Sequence, residues 1–183
     1  MTRRPMQPTP RAFVAVAALC GVLAQAAAAT APFTFAAPDF LAGTDVTRSL
    51  MGDTHAWVAR DSTRHTRLML TTMRAADIRA RFGSLTDLQC VSLFLDELRA
   101  THQDFFVIAM NHPLRLGPAE FIHFRWTGDT PRATLTGVLS CGELAGYYYV
   151  VHFVDELKAA TRSFPAIRAA LKALQPETAG ARP

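Results

Sequence analysis

The chain has 183 residues, 50% of them hydrophobic and 19% charged, with 19 Lys and Arg against 15 Asp and Glu for a net charge of +4. Its length suits one domain with a sizeable core and excludes two. Three of the basic residues, Arg3, Arg4 and Arg11, lie at the very start; without them 16 basic residues face 15 acidic ones, so charge gives no reason to expect nucleic acid as a partner.

Those arginines precede the apolar run Ala12–Leu23 and an alanine-rich segment. A positive region, an apolar region and small residues at A-x-A spacing make a secretory leader, expected over residues 1–29 with cleavage after Ala26 or Ala29. The run is shorter than the roughly 20 residues of a spanning helix. Leu19 also stands where a lipoprotein signal ahead of Cys20 would carry a small residue. The expectation is a periplasmic or secreted protein with no stable membrane anchor after cleavage. Two cysteines then remain, Cys90 and Cys141, in an oxidising compartment that favours their pairing as a disulfide.

Residues 30–175 are expected to form a single α+β domain, with 176–183 as a disordered tail. Thr30–Pro38, with Phe33 and Phe35 alternating, reads as a short edge strand or an extended arm. Asp39–Asp53 reads as mostly loop. Thr54–Arg60 and Thr66–Met73 read as a hairpin around the polar turn Asp61–His65, and Ala75–Phe82 as a short helical turn. Thr86 followed three residues later by Gln89 is a capping box, opening a helix with Leu88, Val91, Leu95 and Leu98 on one face and Phe94 beside them. Asp96, Glu97 and Arg99 lie off that stripe, and the helix should end near His102–Gln103.

Phe105–Met110 is a continuous apolar run of strand length, expected to be covered on both faces. Asn111-His112-Pro113 breaks it, and Ala119–Trp126 is the next strand. Ala133–Leu174 supplies two more strands joined by a glycine-punctuated turn, then a helix with Ile167, Ala170, Leu171 and Leu174 in a stripe. Gln175–Pro183 reads as a fraying polar tail. Four consecutive strands with helices before and after predict a largely antiparallel sheet with helices packed on it, an α/β/α sandwich.

With its leading F-x-F-x-x-P segment Phe33–Pro38, this element order, and a strand followed by Ser163-Phe164 and a closing helix, the chain resembles the PsbP-like superfamily over roughly Phe33–Leu174. That superfamily includes a chloroplast oxygen-evolving-complex subunit, a Ran-binding yeast protein and many small exported bacterial proteins. The resemblance implies a fold and carries over no functional residue.

The chemistry-bearing residues are scattered. None of the six histidines stands at the close spacing of a metal site, no glycine-rich phosphate loop occurs, and no cofactor is expected. His123 and His152 fall on strands that can be neighbours, and their convergence depends on register. Cys141, ahead of Gly142 and Glu143 with His152 one strand away, is a candidate nucleophile unless Cys90 claims it. Tyr147 and Tyr149 point to one face of their strand with Val151 and Phe153 and read first as core residues; the other reading has them line a groove with Trp57 or Trp126 and with His123. The function expected is a non-enzymatic binding or accessory protein for an unknown protein or small-molecule ligand. The rival readings are a small hydrolase using Cys141 or a histidine pair, and an envelope assembly factor.

The leader generates the first prediction. Intact-mass measurement of the exported protein should place its N-terminus between Ala27 and Thr30, and retention of Met1 in the exported fraction would refute it.

Overall fold

The computed structural model describes residues 32–49 and 52–177; the expected leader and the last residues of the tail lie outside the described residues. In chain order the elements are β1 (Phe33–Thr34), β2 (Leu41–Gly43), β3 (Thr47–Ser49), β4 (Gly52–Ala59), β5 (Arg67–Arg74), α1 (Ala75–Phe82) and α2 (Asp87–Thr101). Then come β6 (Gln103–Ala109), β7 (Leu114–Leu116), β8 (Ala119–Phe121), β9 (His123–Asp129), β10 (Thr134–Leu144), β11 (Tyr147–Glu156), α3 (Ala160–Lys172) and β12 (Gln175–Pro176). The fold is α+β, with one large antiparallel sheet in the order β2-β4-β5-β11-β10-β9-β6, and β3 beside β4.

Both long hairpins form where the sequence places them, and α2 opens on the expected capping box: Thr86 Oγ1 accepts from the Gln89 backbone N–H, and the Gln89 side chain accepts from that of Thr86. Side-chain alternation along β10 and β11 splits the core into two layers. Val138, Tyr149, Val151 and Phe153 point to one face with Leu68 and Leu70 of β5, under Phe164, Ile167 and Leu171 of α3. Leu139, Cys141, Tyr148 and Val150 point to the other, under Cys90, Val91 and Leu95 of α2 and Ile78 of α1.

The two longer helices are each tied to the sheet by a specific interaction as well as by packing. The buried Asp155 carboxylate accepts from Ser163 Oγ at 2.6 Å, from Thr66 Oγ1 at 2.8 Å and from the Glu156 N–H at 2.8 Å, tying α3 to the sheet. On the opposite face the sulfurs of Cys90 and Cys141 lie at disulfide distance, with Cα atoms 6.1 Å apart. A bridge closing a loop of that length restricts the unfolded chain by about 4 kcal/mol in the chain-entropy treatment.

Five expectations change. Asp39–Asp53 is not simply loop, because β2 and β3 pair with β4 across it. Ala119–Trp126 is not one strand: it divides at Ile122, so that β8 leaves the main sheet and pairs with β7, giving a small hairpin whose Leu114, Leu116 and Phe121 are buried on the α3 side. Phe105–Met110 is not covered on both faces. Among the described residues β6 pairs with β9 alone and stands at the end of the sheet, and Phe106 is 62% exposed. Leu88 is not part of the buried stripe of α2, being 55% exposed; Cys90 takes that place. Finally Gln175 and Pro176 do not fray, since they pair with Thr34 and Phe33 while Leu174 is buried.

The phase of α2 is testable. Leu95 is buried against the sheet, so Leu95→Ala should cost about 2–5 kcal/mol in denaturant unfolding through lost transfer energy and a cavity. Arg99 makes only an exposed ion pair with Asp96 and a cation–π contact with Phe105, and its alanine variant should stay within about 1 kcal/mol. Equal losses at both positions would place the helix in a different phase.

Candidate functional site

The four residues expected to share a groove do not meet. Pairing puts Ser140 opposite both His123 and Val151, and Leu139 opposite both Phe124 and His152. His123, Tyr147 and Tyr149 therefore face α3, whereas Trp126 and His152 face α2, with the sheet between them. Tyr149 is fully buried, its hydroxyl donating to Pro32 O at 3.1 Å; burial first, then Tyr147 and Glu177, push its phenol up to about 12. Tyr147 is half-buried against the same core. The tyrosines are thus packing residues, and Trp126 borders a cavity.

That cavity, about 470 Å³, lies between the C-terminal half of α2 and the sheet. Phe94, Glu97, Leu98 and Thr101 roof it, with His102 just beyond the helix. Its floor comes from the α2-facing positions of four strands: Thr54 of β4; Arg67, Met69 and Thr71 of β5; Leu135 of β10; and Val150, His152 and Val154 of β11. Thr54 and Thr71 satisfy each other through a 2.8 Å hydroxyl hydrogen bond, and Met69, Leu135, Val150 and Val154 make the apolar part of a floor that also carries Arg67 and His152.

Polar character concentrates at one end. Trp126 Nε1–H donates to His152 Nε2 at 3.2 Å. The neutral His152 ring therefore carries its proton on Nδ1. Burial, then the charges of Arg67 and His102, lower its pKa to about 4, so it stays neutral at physiological pH. His102 Nδ1 lies 2.9 Å from Leu98 O, which can only accept, so Nδ1 carries a proton and donates it there. The rings pack on Trp126 from two sides, with centroids 5.0 Å away for His102 and 5.8 Å for His152.

Two glycines make this packing possible. The Trp126 indole lies directly over Gly137, where an added Cβ would sit 2.5 Å from Nε1. At Gly128 an added Cβ would come within 2.8 Å of His102 Cβ. Neither contact is one that real side chains make, so each glycine serves close approach rather than a turn.

His102 was missed as a site residue, and His152 was considered only as half of a histidine pair or as the partner of Cys141. A signal existed for His152: it shares a face with Tyr148 and Val150, hence with the α2 side, but fixing its distance from Trp126 required the register. Among the described residues, no cluster of three or more His, Cys, Asp or Glu is placed to hold a metal ion, and no helix is long and apolar enough to cross a membrane.

No protein-family model matches the sequence, and no curated protein matches it. Among solved structures, the fold is similar to that of LpqN, described as involved in cell envelope biogenesis of Mycobacterium tuberculosis. The alignment has 9% identity, covers 78% of this chain and 82% of that chain, and gives a TM-score of 0.46. A likeness at that level carries no argument about this chain's activity.

The imidazoles predict a pH dependence. His152 and the buried His123 both titrate near 4 in the folded protein, against an ordinary value of 6.5. Between those values the unfolded chain takes up protons that the folded chain refuses. Stability should therefore fall as pH drops from 6.5 toward 4, by at most about 1.4 kcal/mol per pH unit and group, with no contribution from them above 6.5. Denaturant unfolding across that range should show a shallower slope for His152→Gln than for the wild type. An unchanged slope would mean that His152 is charged in the folded state.

Proposed function

We propose that the chain is an exported, non-enzymatic binding or accessory protein of PsbP-like fold, and that it holds a small ligand in the cavity beneath α2. The observation that carries this reading is the cavity itself: about 470 Å³, lined by Met69, Phe94, Leu98, Leu135, Val150 and Val154, with two imidazoles packed on Trp126 and with Arg67 and Glu97 as its charged groups. Ligand sites commonly have about 300–1,000 Å³, apolar walls and a few convergent polar groups that set orientation. The ligand class that fits has an apolar body of modest size and one hydrogen-bonding end, directed at His152 and His102.

The hydrolase reading loses its named machinery. Cys141 is fully buried with its sulfur at disulfide distance from Cys90, and His123 and His152 are on opposite faces of the sheet. Export is supported by the leader pattern and by the paired cysteines, which suit an oxidising periplasmic or extracellular compartment. The PsbP-like assignment rests on element order together with the Phe33–Pro38 arm, in which Phe33 packs edge to face with His55 and Phe35 edge to face with Trp57.

The test is native mass spectrometry of the exported protein with copurifying small molecules retained, beside a variant with the cavity filled. Met69→Trp adds bulk at a partly accessible floor position, so it should abolish the bound mass while leaving the melting temperature within a few degrees of wild type. A bound species retained at full occupancy in Met69→Trp would place the ligand elsewhere.

A further inference from the structure

The opposite face of the sheet holds a second polar cluster, chemically unlike the cavity. Arg168 of α3 reaches over β9, its Nη1 lying 3.4 Å from His112 Nε2 and its Nη2 3.5 Å from His123 Nε2. The two imidazoles pack edge to face with centroids 5.3 Å apart. Two residues along β9 from His123, and on the same face, Arg125 donates from Nε to Thr136 Oγ1 at 3.3 Å. Arg125 is close enough that its charge, after burial, lowers the pKa of Arg168.

Three features of this cluster call for a negatively charged acceptor. First, neither guanidinium has a carboxylate within ion-pair distance among the described residues, and the residues outside them include no Asp or Glu. Second, two buried atoms, His123 Nδ1 and Arg168 Nε, have no hydrogen-bond partner. His123 is 1% exposed and neutral, and because its Nε2 faces the Arg168 donor, its proton is on Nδ1. Both partnerless atoms are therefore N–H donors, and a buried donor left unpaired is costly. Third, like charges held together at a half-buried site are destabilising unless something neutralises them.

An oxyanion answers all three features. It accepts several N–H donors at once, it neutralises a guanidinium pair, and arginine matches carboxylate and phosphate oxygens with two parallel hydrogen bonds. We propose that Arg125, Arg168 and His123, with His112 supporting Arg168, form an oxyanion-binding site on the α3 face of the sheet, separate from the cavity beneath α2. The source of the oxyanion is a free phosphate or the phosphate of a lipid headgroup. Phe106 and Ile108 stand 62% and 49% exposed on the same sheet face, with Ile108 directly opposite Arg125, so an apolar attachment to the anion would find contact there.

The experiment follows the His123 ring and Arg168 Nε–H resonances of the exported chain by NMR at constant ionic strength. Three probes are compared: inorganic phosphate, vesicles of phosphatidylcholine, and vesicles of phosphatidylcholine with phosphatidylglycerol. Saturable shifts with phosphate are the expected result for a free oxyanion. Binding confined to the phosphatidylglycerol vesicles identifies the headgroup as the source and supports the same site. Arg168→Met and Arg125→Met should each weaken the response roughly tenfold or more, with circular dichroism unchanged. Should Arg168→Met fail to fold, Arg125→Met decides alone, because Arg125 lies outside the packed core. No saturable response to any probe overturns the proposal, as does a response that Arg125→Met leaves intact.

Discussion

The β10–β11 hairpin is buried on both faces, and everything else in the molecule answers to that. Its strands pair with each other and with β9 and β5, so their backbone groups are satisfied within the sheet. Its side chains, alternating between two apolar layers, leave neither face able to meet water. One layer is closed by α3, anchored through Ser163 to the buried Asp155. The other is closed by α1 and α2, with Cys90 near the start of α2 meeting Cys141. Beyond that tether, Trp126 and His102 lie between the end of α2 and the strands, and a cavity separates the helix from β5 and β11.

The sheet separates two chemistries that share a residue type. His152 and His123 are both held neutral, and burial is the first cause for each. Around His152 the neighbours are Trp126, aliphatic side chains, His102 and the guanidinium of Arg67, and its Nε2 accepts from the indole. Around His123 the neighbours are a second imidazole and two guanidiniums, and its Nε2 faces a cation. The same ring thus lines an apolar recess on one side and joins a cationic cluster on the other. What differs is the covering helix, since α2 brings Phe94 and Leu98 whereas α3 brings Arg168.

Local signals in the sequence were reliable where they were self-contained. The Thr86–Gln89 box, the hairpin around Asp61–His65 and the long final hairpin each depend on neighbours a few residues away, and each forms as read. Burial was harder to read. FFVIA is as apolar as a central strand, yet β6 is at the edge, because strand order is decided by pairings between distant segments. Leu88 continues a helical stripe on paper but sits one turn before the sheet contact begins at Cys90 and Val91. The groove expected from Tyr147, Tyr149, Trp126 and His123 failed for a related reason. Alternation gives the faces within one strand, and only register relates the faces of different strands. Arg168 carried no signal at all, since a single arginine on an amphipathic helix is ordinary until the strand beneath it is known.

The exposed edge of β6 bears on how the chain behaves in concentrated solution. An open edge with Phe106 and Ile108 beside it is a template onto which another chain can add a strand. Its regular pairing, however, runs only from Phe106 to Ala109, because the register shifts between Gln103 and Phe106 and Asp104 adopts a φ of 46°. A backbone kinked in this way presents a short, interrupted row of donors and acceptors to an incoming strand. The main chain thereby shortens the edge on which another strand could add, leaving Phe106 and Ile108 on its brief regular part.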